Sequence, residues 1–240
     1  MWNLKASAKS FLKELHLLDP ARRLKRRFKH PLKPSDQAIV ARYLAQSDAP
    51  KLNIGCVDRP LPGWLNTQYD SALPTVIYID VKEPFPFDGE IFDYIFSEHV
   101  IEHVSYTDGV QMLSECFRVL KQSGKVRIST PDLAFLVDLT RPDKSDLQRA
   151  YIKWAANTFI PGAPDDNEVF VINNLMRNWG HTFIYDENTL RGAMASVGFG
   201  NITKFDFHES EDAALRNLEN ENHLPPNFLR AESLTLEGSK

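Results

Sequence analysis

The chain has 240 residues, 42% of them hydrophobic and 25% charged, which suits one sizeable core and about one α/β domain with additions. No run of about 18 apolar residues occurs, which excludes a membrane-spanning helix, and two cysteines, Cys56 and Cys116, make no disulfide framework. The net charge of −4 conceals a division: residues 1–33 hold ten Lys/Arg against Glu14 and Asp19, a net of +8, so the remainder carries −12.

The basic segment reads as two pieces. Leu4, Ala8, Phe11, Leu12, Leu15 and Leu18 fall at helical spacing with lysines beside them, and ARRLKRRFKH follows. Residues 1–34 are therefore expected to be a basic amphipathic helical arm, and residues 35–240 the domain proper, entered through a helix capped by Ser35. The arm has three readings: a solvated tail, a helix lying on an anionic membrane through residues 1–30, or a nucleic-acid arm. Its basic half lacks interleaved aromatics and the body is acidic, so the membrane is favoured over nucleic acid. No clean apolar core marks a signal peptide, and a reducing cytoplasm, with peripheral membrane contact, is the expected setting.

From Lys51 strands and helices alternate. KLNIGC, WLNTQYD, TVIYID, IFDYIFS and KVRIST read as strands, with an amphipathic helix from Thr107 to Leu120. This alternation predicts βαβ units and a mostly parallel sheet with KLNIGC inside it. DLAFLVDL, SDLQRAYIKWAANTFI and EVFVINNLMRNW read as helices, and ENTLRGAMASVGF as another, opened by Asp186 and stopped by Gly198. NITKFDF and ESLTLEG read as a strand pair separated by a long acidic insertion.

Several residues could carry chemistry. Gly55 after a strand lets backbone approach a ligand, though a lone glycine is more often a turn. Asp70 and Asp80 each close an apolar run, where a carboxylate can accept hydrogen bonds from a ligand's hydroxyls or cap a turn. HVIEH (residues 99–103) matches the H-x-x-E-H zinc pattern, but it follows a buried strand and offers no identifiable third ligand, so no metal is expected. Glu98 and His99 lie near a strand's carboxyl end, where open α/β sheets bind ligands. His181, between aromatic residues, is more often a packed side chain than a catalyst, and Asp132 stands just past the fifth predicted strand. Trp154, Phe159, Phe170, Trp179 and Phe183 read as core or lid, with some free to line a pocket.

Four blocks, LNIGCVDRPLPGWLN (52–66), YIDVKEPFPFDGEIFDYIFSEHVIEHV (78–104), FRVLKQSGKVRISTPDL (117–133) and HTFIYDENTLRGAMASVGF (181–199), together resemble the class I S-adenosylmethionine-dependent methyltransferases. The nearer likeness is to the small bacterial methyltransferase-domain (type 11-like) proteins, over roughly residues 50–240. The resemblance implies a Rossmann-like, seven-stranded, mostly parallel sheet with helices on both faces and an antiparallel last strand. It implies methyl transfer from S-adenosylmethionine to a small molecule or glycan, with polysaccharide biosynthesis as one setting. It implies cofactor contacts from Asn53, Gly55, Cys56 and Gln68, and from Asp70, Asp80, Val81 and Ser97. His99, His181, Glu98 and Asp132 are the candidate catalytic residues. Val57 stands where the family has glycine and Gln68 where it has an acid, which implies a weakened cofactor loop. A second reading is a non-catalytic scaffold of the same fold, binding a partner at a membrane surface.

Overall fold

The computed structural model describes residues 32–70, 73–163 and 166–240. The arm up to Pro31 lies outside the described residues, and with it the amphipathic helix expected there. Among the described residues no helix is long and apolar enough to cross a membrane.

The first helix, α1 (Pro34–Gln46), starts on Pro34, whose fixed φ and missing N–H suit the first turn. Lys33, not Ser35, occupies the N-cap, and its side chain makes no capping bond. Ser35 instead hydrogen-bonds to Asp36 from inside the helix. Ile39, Val40 and Tyr43 pack α1 on the core, and the Tyr43 hydroxyl donates to the Lys51 carbonyl at 3.0 Å.

The strands are β1 (Lys51–Ile54), β2 (Leu65–Gln68), β3 (Ile77–Tyr78), β4 (Phe92–Glu98), β5 (Leu120–Pro131), β6 (Gly200–Phe205) and β7 (Ser233–Ser239). They form one seven-stranded sheet in the order β3-β2-β1-β4-β5-β7-β6, in which only β7 runs antiparallel to its neighbours. Leu52 and Ile54 of β1 are buried, with Leu65 and Ile95 opposite Leu52 on either side, as an interior strand requires. TVIYID forms only the two-residue β3. It is the sheet edge, and it pairs with just Thr67 and Gln68. β5 starts at Leu120, earlier than KVRIST suggests, and bends where Ser123 takes a left-handed φ of 64° before Gly124.

Helices α2 (Tyr106–Val119) and α6 (Glu187–Val197) pack on the sheet through one core that includes Val110, Met112, Leu190 and Met194. Ser105 caps α2, and Asp186 caps α6 through the Thr189 N–H. Gly198 ends α6 with a left-handed φ of 115°, as the sequence predicts.

Three more helices, α3 (Leu133–Asp138), α4 (Asp146–Phe159) and α5 (Glu168–Arg177), build a second apolar cluster with Leu136, Tyr151, Ile152, Val171, Leu175 and Phe228. A capping box of Ser145 and Gln148 fixes the start of α4. The acidic insertion between β6 and β7 holds two 3₁₀ turns and a short helix, α7 (Phe228–Glu232), which its composition does not announce. Arg127 of β5 anchors that insertion. It is fully buried, with Nε 2.6 Å from Glu219, one terminal nitrogen 2.6 Å from Glu237, and the same nitrogen donating to the Glu209 carbonyl at 2.7 Å.

Candidate active site

The turn after β1 is built by hydrogen bonds to β2. The Thr67 carbonyl accepts from the N–H groups of both Gly55 and Cys56, at 2.9 and 3.0 Å. Gly55 has φ 80°, and a Cβ there would lie 2.2 Å from a methyl of Val100. Glycine is thus required both for conformation and for close approach to the segment after β4. Val57 has φ 48°, a region that β-branched residues rarely enter, and its N–H donates to Gln68 Oε1 at 3.2 Å. Val57 and Gln68, both singled out in the sequence, therefore touch each other. The GWLN stretch is tied by Asn66, which accepts from the Leu61 N–H at 2.8 Å and from Asn53 Nδ2 at 2.9 Å, and donates to the carbonyls of Leu61 and Trp64.

Beyond this turn, at the carboxyl ends of β1 to β4, lies a cleft of about 390 Å³. Gly55, Val57, Gln68, Asp80 and Val81 face it, with Thr67, Tyr69, Ile79, Val100 and Val104. Asp80 is oriented by the Lys82 N–H, which donates to its Oδ1 at 2.9 Å.

A second pocket, of about 480 Å³, opens on the other side of the turn. One wall is aromatic: Tyr151, Trp154, Phe159, Trp179 and His181 run in consecutive ring contacts, with centroids 5.1–6.0 Å apart. Arg59, Glu98, His99, Asn174 and Glu232 are among its polar lining residues. Gly55, Val57, His99 and His103 border both cavities, so the two meet there.

The charged groups at this junction are held firmly. His99 has φ 50°, its Nδ1 is 3.2 Å from Glu102 Oε1 and its Nε2 is 3.2 Å from the Ser233 hydroxyl. Burial alone would lower its pKa, but the Glu102 carboxylate outweighs burial and raises it to about 9. His99 is therefore a cation at neutral pH. Glu102 is fully buried, and its Oε2 accepts from the Thr130 hydroxyl at 3.0 Å. Although burial opposes ionisation, the His99 contact holds the Glu102 carboxyl below its usual range. Glu232 is buried and accepts a short hydrogen bond from the Tyr151 hydroxyl, and burial pushes its pKa up. His181 sits with Nδ1 against the Leu175 carbonyl, and burial lowers its pKa.

Of the catalytic candidates, Glu98, His99 and His181 line the second pocket, and Glu98 also accepts from the Asn220 N–H at 2.9 Å. Asp132 lines neither cavity. It caps α3 through the Ala134 N–H at 2.8 Å, because the chain turns into a helix immediately after β5. Of the expected cofactor residues, Gly55, Gln68, Asp80 and Val81 face the cleft, while Asn53 and Cys56 face the second pocket. Asp70 is exposed, and Ser97 is buried within β4; neither lines a cavity. H-x-x-E-H does not form one helical face, since His99 precedes a 3₁₀ turn of only Ile101–His103. Glu232 escaped sequence reasoning. It opens the ESLTLEG run, where it reads as a strand residue, and only the short helix α7 brings it beside Tyr151.

Comparison with known proteins places these features. A methyltransferase-domain family model matches residues 61–128. No curated protein gives a match. A methyltransferase from Archaeoglobus fulgidus is 15% identical, with 85% of this chain and 92% of that one covered, at a TM-score of 0.46. One from Mesorhizobium loti is 14% identical, covering 85% and 96%, at 0.47. Phosphoethanolamine N-methyltransferase 2 of Haemonchus contortus, bound to S-adenosyl-L-methionine, is 14% identical, covering 85% and 52%, at 0.42. The family match over residues 61–128, together with the seven-stranded sheet with its antiparallel β7 and the cleft at the carboxyl ends of β1 to β4, gives the chain a Rossmann-like methyltransferase-domain fold.

Proposed function

We propose that the chain methylates a small-molecule acceptor held in the aromatic pocket. The observation that carries this reading is the shared border of the two cavities at Gly55, Val57, His99 and His103, which lets an acceptor reach a group held in the cleft. The cleft fits the cofactor: Asp80 and Gln68 stand at successive strand ends for the ribose, and Ile79, Val81 and Val104 offer an apolar slot. The cofactor supplies a methyl group on a sulfonium sulfur, displaced in line. The aromatic wall orients the acceptor, and holding two reactants in line can lower a barrier by about 7 kcal/mol or more. Its aromatic wall and largely apolar surface support a planar or apolar acceptor body over a polyhydroxylated glycan.

A hydroxyl or amine acceptor must also give up a proton. His99 cannot take it at neutral pH, being already protonated. Glu232 lines the same pocket, and burial raises its pKa and so makes its carboxylate more basic; it is the proposed proton acceptor. His99 then contributes a fixed positive charge, and Glu98 holds the Asn220 turn in place. The basic arm is proposed to bring the enzyme to an anionic membrane surface.

Calorimetry with S-adenosylhomocysteine tests the reading. One equivalent should bind, and Asp80→Ala should weaken it about tenfold, the loss of roughly one charged hydrogen bond. No binding to the natural chain, or equal binding by the variant, would remove the cleft as the cofactor site.

A further inference from the structure

We propose that Glu102, His103 and His181 form a binding site for a zinc-like divalent cation at the border of the two cavities. The sequence pointed away from a metal because His99 and His103 had no third partner. The fold supplies a different set. Glu102 Oε, one nitrogen of His103 and one of His181 all lie within 4.8 Å of one another.

Three features of these residues suit a metal. His181 turns Nδ1 to the Leu175 carbonyl, which directs its other ring nitrogen, Nε2, into the cluster. A backbone carbonyl on the far nitrogen is the usual orienting contact of a metal-bound imidazole. Glu102 Oε1 is fully buried and has no hydrogen-bond partner, while Oε2 is fixed by Thr130. His99 Nδ1 lies 3.2 Å from Oε1 and engages one side of it, and a carboxylate oxygen with two lone pairs keeps a second direction for a cation. The ring of His103 lies edge-on to that of His181, with centroids 4.9 Å apart, and His103 is exposed, so it can swing inward. Zinc needs nitrogen and oxygen ligands at about 2.0–2.2 Å, hence about 3.4 Å from each other in a tetrahedron, and a rotamer change of the exposed His103 ring can supply that closure.

Two imidazoles and one carboxylate, with a fourth position open, favour zinc or a neighbouring first-row ion over magnesium or calcium. The open position faces the cavities, since His103 borders both and His181 lines the aromatic pocket. An ion there meets an oxygen or nitrogen of the acceptor, or water in its place.

The test is a zinc titration of the full chain by calorimetry after chelator treatment, with Co²⁺ absorption as a second readout. One equivalent should bind, Co²⁺ should give tetrahedral visible bands, and His103→Ala and His181→Ala should each weaken zinc binding by about tenfold or more. His208→Ala, at a histidine outside the cluster, should leave it unchanged. His103 is exposed, so its variant should keep the natural Tm and report ligation rather than folding. Absence of a saturable site, or equal affinity in the His103 and His181 variants, overturns the proposal. The outcome is independent of whether the cleft binds S-adenosylmethionine.

Discussion

At the scale of single residues, Val57 and Gln68 act as one unit. A β-branched residue at φ 48° stores strain of about 1–3 kcal/mol, and it persists because its N–H is taken by Gln68 Oε1. Gln68 is thereby engaged with protein, and as an uncharged group it offers a ligand only a neutral hydrogen bond. Replacing Val57→Gly and Gln68→Asp together should relax the turn and restore a carboxylate, tightening S-adenosylmethionine binding about ten- to a hundredfold. Unchanged affinity would show both substitutions to be harmless. Glu232 makes a separate prediction. Its folded pKa is raised by burial, so the stability tied to its protonated form is complete below the ordinary glutamate range near about 4.3. That stability is lost as pH rises through the higher folded value. Glu232→Gln keeps an acceptor for Tyr151 and removes the charge, so its Tm should exceed the natural chain's at neutral pH and converge with it in acid. A pH-independent difference would argue against burial as the cause.

At the scale of elements, the sheet was legible and the insertions were not. KLNI, IFDYIFS and ESLTLE announce strands through continuous apolar or β-branched runs, and Asp186 with Gly198 brackets α6 correctly. The strength of TVIYID misled because propensity describes a segment, whereas strand length depends on what the neighbour offers. The turn between α7 and β7, and the approach of Glu232 to Tyr151, depend on contacts 81 residues apart, which no local pattern encodes. The polar lining of the second pocket was therefore only half visible, through Glu98, His99 and His181. Arg127 shows the same principle in reverse. As a lone charge within the KVRIST strand it carries no local sign of its partners, yet it is fully buried against Glu219 and Glu237. Arg127→Ala leaves two buried carboxylates without their partner and should destabilise the fold by about 3–5 kcal/mol, measured by denaturant unfolding. A loss below about 1 kcal/mol would mean that water already reaches that network.

At the scale of the whole molecule, a basic N-terminal segment precedes an acidic body that carries both cavities. Each basic residue near an anionic surface contributes about 1 kcal/mol, so deleting residues 1–30 should sharply reduce sedimentation with anionic vesicles while leaving the Tm of the domain in place. Equal sedimentation would end the membrane reading. Helices α4 and α5, packed in the second apolar cluster, supply one wall of the aromatic pocket, while the cleft is built from strand ends and the turns between them. This division of labour has an optical consequence. Of the four tryptophans, Trp154 and Trp179 line the aromatic pocket, Trp64 is buried near Phe96, and Trp2 lies outside the described residues. The cleft has no indole on its wall. Intrinsic fluorescence should therefore respond to molecules entering the aromatic pocket and stay nearly silent to the cofactor. Compound collections could then be screened for acceptors by emission alone, before any turnover is observed.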